Sequence, residues 1–105
     1  MEKKDYLEEV SWRIKDQEDE INRLHVSISK LEQEIGILET ARHKLETSAF
    51  ALKFHANSKT LQILGQKIEN LQIALKKNEA SLEDEKEELK CLKIIQSTAR
   101  VYETY

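Results

Sequence analysis

The side chains of this sequence that could bind a metal or act as nucleophiles are three histidines and one cysteine. Metal sites in helical bundles use a Glu-x-x-His spacing, but none of the residues three positions before His25, His43 and His55 is a glutamate. The histidines also lie too far apart for the i, i+4 pair of a zinc site. The sequence therefore predicts no metal site, and nothing in it indicates a cofactor.

Cys91 is the only cysteine, so no internal disulfide can form and a reducing compartment is favoured. Lys90 and Lys93 flank it, but a catalytic thiol also needs a base oriented toward it, and no such arrangement is evident. The chain has no glycine-rich phosphate loop and no Gly-x-Ser-x-Gly element. The acidic run at 83–88 is typical of a solvated helix face. We therefore expect a non-enzymatic protein with no catalytic residues.

The composition favours long helices. Charged residues make up 35% of the 105 positions, proline is absent, and the two glycines, Gly36 and Gly65, lie within stretches of helix-forming residues. The net charge of -3 without a concentrated basic face weighs against nucleic-acid binding. No apolar run approaches the ~18 residues of a membrane span, and the first residues lack a signal-peptide core. The expectation is a cytoplasmic protein, with leaderless export left open.

A heptad repeat organises the first half of the chain. Apolar residues recur in sevens from Leu7 and from Val10, and twelve of the fourteen positions up to Leu52 are apolar, which indicates a coiled-coil helix. A second, weaker seam begins at Leu61 and is out of phase with the first, so the chain must reorient in between. The segment at 55–58, His-Ala-Asn-Ser, has the residue types of a turn.

These seams predict an all-α, antiparallel two-helix hairpin (coiled coil) formed by residues 1–105 as a single domain. Its first helix spans about 5–54, its turn about 55–58 and its second helix about 59–102. A continuous helix in a parallel dimer is the alternative, because isoleucine followed by leucine along a seam favours parallel dimers. The residues predicted to form the intramolecular seam are Ile14, Ile21, Leu24, Ile28, Leu31, Ile35, Leu38, Leu45, Leu52, Leu61, Leu64, Ile68, Leu71, Leu75, Leu82, Leu89 and Leu92.

Aligning the two seams around a turn at 56–57 predicts the register of the hairpin. Facing residues then have numbers that add to about 113, and every seam position meets another seam position. Gln17 falls opposite Gln96, so the two amides can bond each other. Arg42 and Glu85 also fall on the seam and should reach the rim along their aliphatic stems.

Large apolar residues also occupy outward heptad positions. Because a two-helix hairpin has no deep core, these residues predict a second interface, with a homodimer completing a four-helix bundle or a hetero-complex with another helical protein. Aromatic residues near both termini predict that Tyr6 and Trp12 lie close to Tyr102. The predicted partner-binding residues are Trp12, Val26, Ile37, Phe50, Phe54, Ile63, Ile73 and Ile94.

The hairpin plan, with Ile63-Leu64-Gly65 after the turn, resembles the small helical partners of type VII secretion systems, including those that accompany LXG-domain toxins. That group often carries Trp-x-Gly at this step, and isoleucine stands here in place of the tryptophan. The resemblance implies a secretion partner or a targeting chaperone for a helical toxin domain. The residues alone favour a coiled-coil assembly or adaptor protein that binds other helices.

Overall fold

A computed structural model describes residues 3–47 and 58–103, all of them helical. Helix α1 spans Lys3–Thr47 and helix α2 spans Ser58–Glu103. Contacts between the helices run in opposite order along the two segments, so the predicted antiparallel hairpin is confirmed and the continuous helix is excluded. Whether a four-helix bundle forms stays a prediction.

Helix α1 begins two residues before the predicted start at residue 5. Its predicted end near 54 and the first three residues of the predicted turn lie outside the described residues, and so does the seam position Leu52. Ser58, placed in the turn by the sequence, is the first residue of α2. Each helix carries a basic residue in its last turn, Lys44 or Arg100, where a positive charge interacts favourably with the helix dipole.

Contacts divide the chain into two units, and each contains a stretch of both helices. Unit 1 combines Met1–Val26 with Glu79–Tyr105, and unit 2 is Ser27–Asn78. Heptad letters identify positions in both: Leu7 is an a position of α1 and Leu61 an a position of α2, so the seam consists of a and d positions. In antiparallel pairs the g positions of the two helices flank one side of the seam and the e positions the other.

The core of unit 1 lies on its a and d positions. Val10, Ile14 and Leu92 form a buried cluster, and the half-buried Leu89 packs against it. Ile21, Leu24 and Leu82 are also buried. Among the described side chains of unit 1, six of the twelve on the seam are therefore buried, and the burial of their apolar surface stabilises the unit.

In the described part of unit 2, the buried hydrophobic residues are Ile35 and Ile68. The other predicted seam residues of this unit are half-buried; they are Ile28, Leu31, Leu38, Leu45, Leu61, Leu64, Leu71 and Leu75. A half-buried leucine retains part of its contact with water and contributes less than a fully buried one.

The register differs from the predicted one. Gln96 donates from Nε2 to Ser11 Oγ at 3.1 Å, and Gln17 bonds Glu85, so the predicted pairing of Gln17 with Gln96 is wrong. In unit 2, Asn78 donates from Nδ2 to Ser27 Oγ at 2.9 Å. The numbers of these three bonded pairs add to 107, 102 and 105, about one heptad less than the predicted 113, whereas those of Gln72 and Glu39 add to 111. A shift of one heptad again places seam positions opposite seam positions, so the apolar pattern alone could not distinguish the two registers.

Polar residues on the seam bond at its edge and are not fully buried. Gln17 donates to the backbone oxygen of Glu85 at 3.1 Å and also to its carboxylate. Arg42 is half-buried, and its Nε lies 3.8 Å from Glu46 Oε1. No buried side-chain nitrogen or oxygen lacks a hydrogen-bond partner within the described residues. These side chains therefore avoid most of the desolvation cost of a buried polar group.

Candidate interaction surface

Exposed apolar residues follow the heptad positions closely. Among the described side chains, every large exposed hydrophobic residue occupies a c, f or g position, and none occupies a b or e position. We call the side formed by g and c positions the g/c side and the opposite one the e/b side. The exposed residues are Tyr6, Trp12, Val26, Ile37, Ile63, Ile73, Ile94, Ile95, Val101 and Tyr102.

Unit 1 carries an apolar groove on its g/c side. The groove is lined by Tyr6 from α1 and by residues 94–102 of α2, with Ile95 and Tyr102 one heptad apart at g positions. Ile94 is 64% exposed and Ile95 41% exposed. Sequence reasoning missed Ile95 as a surface residue because it directly precedes the seam position Gln96. Its g position, shared with Tyr6 and Tyr102, was the signal that could have found it.

Trp12 lies apart from this groove. Tyr6 and Tyr102 line the groove together, as expected from their places near the two ends of the chain. Trp12 instead lines a separate hollow on α1 with Glu8, Ser11 and Lys15, and it is 62% exposed. The f position of Trp12 explains the difference, because f residues lie on the back of a helix, away from its partner.

The predicted partner-binding residues occupy several sides. In unit 1, Trp12 and Val26 occupy f positions of α1, whereas Ile94 occupies an f position of α2. The backs of two paired helices point in opposite directions, so one partner helix cannot cover all three residues. In unit 2, Ile73 occupies an f position of α2. Phe50 and Phe54 lie outside the described residues.

Unit 2 also exposes apolar residues on its g/c side. Ile37 and Ile63, both at c positions, are 61% and 52% exposed. Ile37 lines a shallow hollow with Gly36, Thr40 and Ala41. Ala41 and Ala74, half-buried at g positions, place small side chains beside the seam on this side.

The polar groups near these surfaces form local pairs. Arg23 donates from Nε to Glu20 Oε2 at 3.0 Å, and this hydrogen bond lowers the pKa of the Glu20 carboxyl and raises the pKa of the Arg23 guanidinium. Gln72 donates to Glu39 Oε1 at 3.4 Å, and both residues occupy e positions. This contact agrees with the heptad assignment of the two sides.

The residues that could do chemistry are not brought together. His25, His43 and Cys91 are exposed, and His55 lies outside the described residues. Within residues 3–47 and 58–103, no group of three His, Cys, Asp or Glu side chains is arranged to hold a metal ion. In the same ranges, neither helix contains a stretch apolar enough to cross a membrane.

Comparisons of the chain with protein families, with curated proteins and with solved structures found no match.

Proposed function

We propose that this protein is a non-enzymatic assembly or adaptor protein that binds other helices through the apolar residues its hairpin leaves exposed. One observation carries the proposal: the exposed hydrophobic residues are restricted to c, f and g positions across the described helices. Scattered exposure would have placed some of them at b or e positions as well. The e/b side is polar, and the rest of the surface offers apolar contacts.

Burial of these residues supplies the driving force for binding. Covering the exposed part of one such isoleucine, about half of its surface, stabilises a complex by roughly 1 kcal/mol before the cost of association. The groove of unit 1 concentrates Tyr6, Ile94, Ile95 and Tyr102, and tyrosine is one of the residue types that most often dominate interface energies. The partner is therefore a helix with an apolar stripe, either in a second copy of this chain or in a different protein. The single cysteine supports placing this activity in a reducing cytoplasm.

The test compares two variants of α2 in which the substituted residues lie on different sides of the helix. Ile95→Asp places a charge in the groove, and Ser97→Asp places the same charge at an exposed b position. Light scattering reports self-association, and affinity purification from the source cells, followed by mass spectrometry, reports a retained partner protein.

We expect Ile95→Asp to weaken association at least tenfold and Ser97→Asp to leave it unchanged, since a desolvated unpaired charge is costly. Equal behaviour of the two variants, or a wild type that neither self-associates nor retains a partner, contradicts the proposal.

A second candidate is a secretion partner or targeting chaperone for a helical toxin domain, supported by the two-helix plan. Co-expression with a toxin targeting domain tests it. Stable co-purification at a fixed ratio is expected, and separation of the two chains on a sizing column contradicts it.

A further inference from the structure

We infer that the g/c side is covered by a second copy of this chain, with unit 1 of each copy lying against unit 2 of the other. The inference rests on the proposed function, because it names the helices that cover the exposed apolar residues of the g/c side. The net charges of the two units, which the proposed function does not depend on, favour this pairing.

The two units have opposite net charge. Unit 1 contains nine Lys and Arg residues and fifteen Asp and Glu residues, a net charge of -6. Unit 2 contains eight basic and five acidic residues, a net charge of +3. Two copies paired with unit 1 on unit 1 would place acidic surfaces together. Pairing of unit 1 with unit 2 joins opposite charges at both ends of the interface, which favours this orientation.

The same opposition holds on the g/c side itself. Among the described residues of unit 1, this side has five acidic and two basic residues, a net charge of -3: Glu9, Arg13, Asp16, Glu20, Arg23, Asp84 and Glu88. In unit 2 it has four basic residues and one acidic residue, a net charge of +3: Lys30, Glu34, Lys44, Lys67 and Lys77.

The apolar residues select the g/c side over the e/b side. The e/b side also differs in charge between the units, but none of its described residues is a large exposed hydrophobic one. On the g/c side, unit 1 contributes Tyr6 and Ile95, and unit 2 contributes Ile37 and Ile63. A two-fold dimer uses each of these contacts twice, because both copies present the same surface. The g/c side is therefore complementary to itself in both charge and apolar contact.

The first experiment reverses two charges on the basic part of the g/c side. Lys67→Glu with Lys77→Glu changes g and c positions of unit 2, and Lys59→Glu with Lys76→Glu makes the same charge change at exposed f and b positions. Sedimentation equilibrium measures the dimerisation constant of each variant, and circular dichroism checks that the helices persist.

We expect the first pair to weaken dimerisation about tenfold or more, because it places like charges opposite each other at both ends of the interface. The second pair should stay within about threefold of wild type, since its charges lie away from the interface and are screened. Adding Asp84→Lys and Glu88→Lys to the first pair restores opposite charge and should recover most of the affinity.

The native cysteine reports the orientation of the two copies. Cys91 is exposed at a c position of unit 1. In the inferred pairing each Cys91 faces unit 2 of the other copy, so the distance between the two Cys91 residues is long. Pairing of unit 1 on unit 1 would place both Cys91 residues at the same contact and give a short distance. Spin labels on Cys91 and a pulsed dipolar measurement separate these arrangements.

The inference is supported by a dimer that has a long distance between the two Cys91 labels, is weakened by the reversal of Lys67 and Lys77, and is restored by the added changes at Asp84 and Glu88. A short distance, or equal effects of the two lysine pairs, overturns it. A wild type that stays monomeric up to about 0.5 mM also overturns it, since an interface of this kind should bind in the micromolar range or tighter. If the wild type stays monomeric, the proposed function still holds when affinity purification retains a different helical protein and Ile95→Asp weakens that retention.

Discussion

Units 1 and 2 are built from the same two helices, yet they differ in core and in charge. The described part of unit 1 buries six hydrophobic residues on its seam, whereas that of unit 2 buries two. Unit 1 is acidic and unit 2 is basic. A heptad repeat therefore does not by itself set the burial of a seam. Polar seam residues do not explain the difference either, because the better-buried unit 1 has three of them, Gln17, Glu85 and Gln96, and unit 2 has two, Arg42 and Asn78.

The two units also differ in the contacts that a bound partner would add. Unit 1 has a water-excluding cluster and an apolar groove beside it, so a partner would add contacts to an already formed core. The half-buried leucines of unit 2 leave more apolar surface near the seam, and covering them would add to the stability of the unit itself. Binding should therefore stabilise unit 2 more than unit 1.

The largest expected effect comes from removing a buried side chain in unit 1. Leu92→Ala leaves a cavity against Val10 and Ile14 and should lower the free energy of unfolding by about 2–4 kcal/mol. Leu75→Ala at a half-buried position of unit 2 should cost about 1–2 kcal/mol, because less apolar area is lost. Urea denaturation followed by circular dichroism measures both. Lys93→Ala, at the exposed e-position neighbour of Leu92, is the control. Equal losses for the two leucines would remove the contrast between the units.

A smaller effect is expected at the polar interruption of unit 2. Asn78→Leu removes the hydrogen bond to Ser27 and makes the seam apolar, which should raise the free energy of unfolding by about 1 kcal/mol. The same change should loosen the register, since a polar seam residue selects one alignment at a cost in stability. Denaturant unfolding gives the first quantity, and disulfide trapping of cysteine pairs in the two registers gives the second. Gln62→Leu, at an exposed b position away from the g/c side, should change neither, and an unchanged register in Asn78→Leu would show that Asn78 does not select it.

The two glycines of unit 2 offer a third test. A methyl group added at Gly36 or Gly65 meets nothing within 4 Å outside the local helix backbone. Alanine loses less backbone entropy on folding, so Gly36→Ala and Gly65→Ala should each stabilise the protein by about 0.5–1 kcal/mol. Thermal unfolding measures the gain. If Gly36→Ala stabilised the free protein but weakened a complex, the hollow beside Ile37 would be identified as a close helix contact.

The smallest effect concerns the exposed pair of unit 1. Arg23→Gln removes the hydrogen bond that lowers the pKa of Glu20, so this pKa should rise toward its ordinary value of 4.5. Because the pKa is lowered in the folded state, the pair stabilises the fold above the ordinary pKa, and this contribution is lost as the pH falls through the lowered value. An NMR titration of the Glu20 carboxyl checks the direction. An unchanged pKa would mean that the pair does not persist in solution.

The helical fold was predictable because its signal is repeated. Each heptad of α1 carries the same information, so Gln17 and Arg42 do not mask the period. The outward positions of Trp12 and Ile37 followed from the same count. The heptad count did not predict how the exposed residues divide among the sides of the hairpin. That division depends on which helix each residue belongs to and on the direction of the other helix.

The sequence by itself determined the helical period and the residues on the seam, because each depends on residue types and spacing along one chain. The division into two units of opposite charge depends on contacts between the helices. Tertiary structure decided the register, in which Gln17 bonds Glu85 and Gln96 bonds Ser11. It also brought Tyr6 together with Ile95 and Tyr102 in one groove. The physical reason is that a heptad pattern has the same apolar energy after a shift of seven residues. Only contacts between side chains distant in sequence distinguish one alignment from the next.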